Sequence, residues 1–116
     1  MKTPSRLLVA GLVACAIPVF ASAATGEELW KKNCAMCHGQ DGTGQTMMGK
    51  KLGLKDYTDP AVQATFSDEE IATAIKEGMK NEAGKKLMPS FAAKIAEEDI
   101  PGLVAYVRSL QHQPAS

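Results

Sequence analysis

Cys34-Ala35-Met36-Cys37-His38 places two thiols and an imidazole within five residues, and Gly39 follows directly. Three chemistries use such a set. A thiol–disulfide pair commonly sits beside a βαβ pattern, and none is legible here. Zinc sites space their ligands out, whereas His38 is fused to Cys37. Beyond Cys15 the chain holds only two cysteines and two histidines, so His112, in a polar tail over residues 111–116, would have to complete a zinc set.

The third chemistry is covalent haem attachment, for which C-x-x-C-H is the sequence signature. Cysteines three apart on a helical turn share one side. They can form thioethers with two vinyl groups along one porphyrin edge and carry His38 under the ring to bind iron. The second ring nitrogen of such a histidine needs an acceptor that fixes its tautomer.

The rest of the chain fits an exported domain. Lys2 and Arg6, the apolar run from Leu7 to Phe20, and Ala21-Ser22-Ala23 form the three parts of a secretory signal peptide, residues 1–23. The run is too short for a span of roughly 20 residues, so no membrane span is expected. Leu12-Val13-Ala14-Cys15 offers a rival lipoprotein cut, with Cys15 lipidated, but that would leave an apolar terminus from Ala16 to Ala23. Cleavage after Ala23 leaves residues 24–116, one domain, with 11 basic residues against 13 acidic. Nothing in that balance suggests nucleic-acid binding. In an oxidising compartment a C-x-x-C pair must be bridged or otherwise occupied. The domain is small and aromatic-poor, with Trp30, Tyr57, Phe66, Phe91 and Tyr106, and a large planar cofactor would fill its core.

Three helices are predicted to carry the site. Thr25-Gly26-Glu27-Glu28 is a capping box that opens a helix to about Cys37. Ser67-Asp68-Glu69-Glu70 opens a second, with Phe66 and Ile71 as a hydrophobic staple and Gly78 as its stop. The third covers about Glu97 to Leu110, with Ile100, Leu103, Val104, Val107 and Leu110 on one stripe. Pro101-Gly102 predicts an irregular first turn. Pro60 behind Asp59 predicts a short fourth helix. No strand-period alternation is visible. The segments Gly39–Asp56 and Met79–Lys94 read as long loops that wrap something.

One of those loops supplies a sixth ligand. A methionine opposite His38 would raise the reduction potential. Met88 lies 50 positions after His38, and Pro89 biases it towards an extended conformation. Met79 is the next candidate; Met47 and Met48 have the reach; Met36 lies on the histidine side.

The chain resembles the class I c-type monohaem cytochromes of the small bacterial kind. The likeness rests on Cys34-Ala35-Met36-Cys37-His38-Gly39, on Leu87-Met88-Pro89-Ser90-Phe91, and on Leu103-Val104-Ala105-Tyr106-Val107-Arg108-Ser109-Leu110. It implies an all-α fold, a small cytochrome c-like domain of three main helices plus a short one, wrapped around one haem c held by two thioethers. It implies Met88 as the axial sulfur and a crossing of the first and last helices at Gly26, Trp30, Leu103 and Tyr106. Members often carry a Gly-Pro whose carbonyl holds the axial histidine. The corresponding stretch here is Gly49-Lys50-Lys51-Leu52, which offers a lysine carbonyl instead.

With both axial positions filled by protein, such a haem only gains and loses an electron. The expected role is a periplasmic electron carrier, not an enzyme, between a donor dehydrogenase or reductase and an acceptor oxidase or reductase. A labile sixth ligand would instead allow ligand binding or peroxide chemistry, and a haem subunit of a larger redox complex would share the chemistry and differ in partner. Lys50, Lys51 and Lys55 on one loop, and Lys80, Lys85 and Lys86 on the other, could form a basic docking face.

Overall fold

Thr25 opens helix α1 (Gly26–Asn33) through the expected reciprocal pair: its hydroxyl accepts the Glu28 N–H at 3.2 Å, and the Glu28 carboxylate accepts the Thr25 N–H at 3.2 Å. The computed structural model describes residues 2–4, 9–16 and 24–112. Most of the predicted leader, including Arg6 and the cleavage stretch Ala21-Ser22-Ala23, lies outside them, as do residues 113–116 of the tail. Residues 9–16 are exposed and carry no regular secondary structure.

The first helix does not run unbroken to Cys37. Cys34 turns out of it, and a separate turn, α2 (Ala35–His38), carries the second thiol and the imidazole to Gly39, which stops it at φ 85°. The presumed loop after Gly39 contains a third helix, α3 (Met47–Leu52). Thr46 accepts the Gly49 N–H at 2.8 Å to start it, and Gly53 ends it in the left-handed conformation. Asp59 and Pro60 open α4 (Pro60–Gln63) as predicted.

Ser67 starts α5 (Asp68–Glu77) by accepting the Glu70 N–H at 3.1 Å. The Glu70 side chain lines a cavity rather than closing a second capping box. Ser67→Ala removes that cap and is expected to cost about 1 kcal/mol, lowering Tm by roughly 4–8 °C in a thermal melt.

After Gly78 the segment expected to be a long loop contains a short hairpin, within a fold that is otherwise helical as expected. Strand β1 (Met79–Lys80) pairs antiparallel with β2 (Lys86–Met88), Met79 opposite Met88 and Lys80 opposite Lys86, with a bulge between Met79 and Lys80. Strands this short cannot display a period-2 pattern. A 3₁₀ turn (Glu97–Asp99) precedes α6 (Ile100–Ser109), so Pro101 sits where its missing N–H costs least. Leu110–His112 continue as another 3₁₀ turn.

Helices α1 and α6 cross face to face. Trp30 and Leu103 are fully buried at the crossing, and the Trp30 and Tyr106 rings lie 5.9 Å apart. Gly26 permits the approach: a Cβ there would collide with the Gly102 carbonyl oxygen and lie 3.0 Å from the Tyr106 Cβ. Val104, Val107 and Leu110 extend the apolar face of α6, and Ile75 joins it from α5.

Candidate functional site

Because α1 breaks at Cys34, the two thiols and the imidazole are presented on one tight turn. The Cys37 and His38 N–H groups both donate to the Cys34 carbonyl, at 3.2 and 3.0 Å. The turn is pinned from two sides. Trp30 Nε1–H donates to the Gly39 carbonyl at 3.0 Å, and the Thr46 hydroxyl donates to the Cys37 carbonyl at 2.5 Å. Gly49 packs flat on the same place, where a Cβ would meet the Gly44 and Cys37 carbonyl oxygens.

The turn borders two joined cavities. One, about 240 Å³, is lined by Cys34, Cys37 and His38 together with Leu87, Met88 and Phe91. The second, about 420 Å³, runs deeper, past Tyr57, Phe66, Ile71, Ile75, Leu103 and Val107. They share Cys34, His38, Leu52, Leu54, Leu87 and Met88. The walls are mostly aliphatic and aromatic, the lining that suits a large apolar group.

Cys34, Cys37, His38 and Met88 therefore line one cavity. Cys34 and Cys37 form no disulfide with each other, which leaves both sulfurs available to a cofactor. Burial, with Cys37 nearby, pushes the Cys34 thiol up to about 11, so it is protonated at neutral pH. Burial pulls the His38 pKa down, favouring the neutral ring that binds metals. Met88 is half-buried against the core and touches both cavities. Met79, its partner across the hairpin, lines only the deeper one and is half-exposed, while Met47 is 90% exposed and Met48 43%. Among the described residues no three His, Cys, Asp or Glu side chains are arranged to hold a metal ion.

The expected lysine carbonyl does not hold His38. Nδ1 is buried with no hydrogen-bond partner, which leaves Nε2 as the nitrogen open to the cavity. Lys50 and Lys51 are wound into α3, where backbone geometry directs their carbonyls along the helix axis. Aromatic rings flank the imidazole instead: Tyr57 at 5.3 Å, 24° from parallel, and Trp30 at 5.5 Å. Sequence reasoning assigned no site role to Tyr57, Thr46 or Phe66. The scarcity of aromatics is the signal that could have singled out Tyr57 and Phe66.

An orphaned imidazole nitrogen, two unbridged cysteine sulfurs and a thioether around an apolar space fit a covalently held haem. Residues 21–107 match the family model described as cytochrome c oxidase, cbb3-type, subunit III. Cytochrome c-554(547) of Halothiobacillus neapolitanus is 34% identical, over 77% of this chain and 97% of that protein. Cytochrome c6 of Synechococcus elongatus is 30% identical, over 75% of this chain and 88% of that protein. The solved KustC0563 c-type cytochrome superimposes with a TM-score of 0.67 at 34% identity, covering 76% of this chain and 99% of that one.

Proposed function

The chain belongs to the c-type cytochromes and carries a covalently bound haem c for electron transfer, and from that premise we propose that it is a periplasmic one-electron carrier with His/Met ligation. Cys34 and Cys37 form the two thioethers, His38 Nε2 and the Met88 sulfur take the axial positions, and residues 24–116 are the domain left after removal of the leader, residues 1–23. When bound, the haem supplies a ferric/ferrous couple whose potential a methionine ligand raises. The observation that carries this reading is the convergence of Cys34, Cys37, His38 and Met88 on one apolar cavity.

The chain's own residues do the remainder. Pro89 holds the Met88 backbone extended. The Ser90 hydroxyl donates to the Lys76 carbonyl, and the Phe91 N–H donates to the Ile75 carbonyl at 2.9 Å, so the segment after Met88 is tied to α5. Leu52 and Leu87 line both cavities and Phe66 lines the larger, giving them apolar walls. With both axial positions taken, no site is left for substrate, and the protein acts as a carrier rather than an enzyme.

Visible spectroscopy of the exported protein tests the proposal. A haem c spectrum with the weak far-red sulfur-to-iron band in the ferric form is expected. A haem c spectrum lacking that band and responsive to carbon monoxide would overturn His/Met ligation and favour ligand or peroxide chemistry. The description of the matching family favours a second setting for the same chemistry, a haem subunit of an oxidase assembly. Among the described residues no helix is long and apolar enough to cross a membrane.

Redox partners dock, on this reading, at a basic rim. Lys32 and Lys94 line the smaller cavity and Lys55 the deeper one. Lys50, Lys51, Lys80, Lys85 and Lys86 are exposed, and the ion pairs among the described residues involve Lys31, Lys76 and Arg108 instead. Electron transfer with an acidic partner should slow about tenfold or more as salt rises past roughly 0.5 M. Lys32→Glu with Lys94→Glu should flatten that dependence in stopped-flow measurements.

A further inference from the structure

A metal-bound histidine almost always donates its second N–H to a carboxylate, a carbonyl or water, and that bond sets the ring's orientation. Among the described residues no protein group accepts a hydrogen bond from His38 Nδ1, which is buried. Its ring faces are packed instead. Trp30 is anchored by its own N–H on Gly39. Tyr57, the more nearly parallel ring, makes no side-chain hydrogen bond among the described residues, so something else must hold it in place.

That hold is a polar node buried behind the cavity. The Tyr57 N–H donates to the Gly42 carbonyl at 2.9 Å, and the Tyr57 carbonyl accepts from Gln63 Nε2 at 2.8 Å. Gln63 is 3% exposed, and the same nitrogen donates to the Val107 carbonyl of α6 at 2.8 Å. Arg108 Nη1 donates to the Gln63 Oε1 at 3.0 Å and to the Gln63 carbonyl at 2.6 Å. Its Nη2 donates to the Phe66 carbonyl at 2.7 Å, and its Nε donates to Asp68 Oδ1 at 2.7 Å. The guanidinium lies 5.0 Å over the Phe66 ring, and Phe66 meets Tyr57 edge-on at 5.6 Å. Contacts thus run unbroken from the α6 surface through Gln63 and Phe66 to Tyr57, and from Tyr57 to the imidazole. A buried amide whose donors and acceptor are all used fixes its neighbours tightly, since leaving any of them unpaired costs about 1–3 kcal/mol.

We infer that Gln63 and Arg108 are positioning residues for His38: they lock Tyr57 flat against the imidazole, and this stack sets the ring's orientation where no protein acceptor stands at Nδ1. The inference rests on His38 being an iron ligand. It assigns no role to the Tyr57 hydroxyl, so Tyr57→Phe preserves the device and Tyr57→Leu removes it. Gln63→Met, of similar volume, releases the Tyr57 carbonyl. Arg108→Lys keeps the charge opposite Asp68 but loses the fork, and is the milder variant should the others fold poorly.

The test uses ferric holoprotein, in which the paramagnetic NMR shifts of the haem methyl groups follow the plane of an axial imidazole. The expected result is a changed methyl pattern and a shifted reduction potential in Gln63→Met and Tyr57→Leu. A smaller change of the same sense is expected in Arg108→Lys, and a parent-like pattern in Tyr57→Phe, with the far-red band kept throughout. Parent-like patterns in Gln63→Met, Tyr57→Leu and Arg108→Lys would overturn the inference and leave the node as a loop anchor. Absence of paramagnetically shifted imidazole resonances from the parent itself would overturn the ligand reading, and the inference with it.

Discussion

Met88→Ala is expected to convert the proposed carrier into a ligand-binding haem protein. The far-red ferric band disappears, the ferrous form takes up carbon monoxide that the parent refuses, and the reduction potential falls by a sizeable part of the roughly 0.8 V that axial-ligand choice spans. The reason is local. A thioether favours ferrous iron, and its loss leaves water or nothing opposite His38. The fold should survive, because Met88 is a half-buried residue at the cavity edge, not one of the fully buried residues of the helix crossing. Met79→Ala is the control. Met79 pairs with Met88 across the hairpin and lines the deeper cavity, so it is the competitor for the same position. If Met79→Ala removes the band and Met88→Ala does not, the ligand is Met79.

Gly78→Ala is expected to damage both stability and the sixth ligand. Gly78 ends α5 at φ 74°, ψ −171°, a conformation that is essentially glycine's alone and costs another residue about 1–3 kcal/mol. A Cβ there would also collide with the Met88 carbonyl oxygen and lie 2.9 Å from the Pro89 carbonyl carbon and from the Ser90 nitrogen. These are backbone atoms and cannot swing aside, so crowding adds about 1–3 kcal/mol. Relief requires the Met88–Ser90 segment to move off α5, which carries the sulfur away from the cavity. The expected result is a Tm lowered by at least about 10 °C together with a weakened far-red band. Gly84→Ala separates the two causes. Gly84 also has a positive φ, 79°, but nothing lies within 4 Å of its added Cβ. Equal losses in the two variants would mean that crowding on Met88 plays no part.

What could be read from sequence was whatever is written locally. Thr25, Ser67 and Asp59-Pro60 announce helix starts because caps act within one turn. The C-x-x-C-H run announces the cofactor because its ligands are neighbours. Helix α3 escaped notice although Thr46 is a cap. Met47-Met48-Gly49-Lys50-Lys51-Leu52 is too short to show a period, and its central glycine, needed for close packing on the Cys37 carbonyl, lowers the helical propensity. The hairpin was hidden because its strands hold two and three residues. The lysine-carbonyl acceptor failed for the same reason that α3 was missed: residues taken for loop are helical, and their carbonyls point along the helix. The Gln63–Arg108 node was beyond reach, since its members lie 44 and 45 positions apart and nothing local marks a glutamine as buried.

The crossing of α1 with α6 also governs the order of events in making the protein. Trp30 packs against Tyr106 near the far end of the domain and shares one buried cluster with Cys34 and Leu103. Until that segment emerges and docks, the leading helix lacks its main native partner, and the thiols that follow it are expected to stand in water. Afterwards Cys34 is 7% exposed and its thiol is held protonated, which makes it a poor nucleophile. Long-range closure of this kind is slow relative to forming a helical turn. On the proposed assignment, a thioether at Cys34 would form most readily before α6 docks, while the sulfur is still open to solvent.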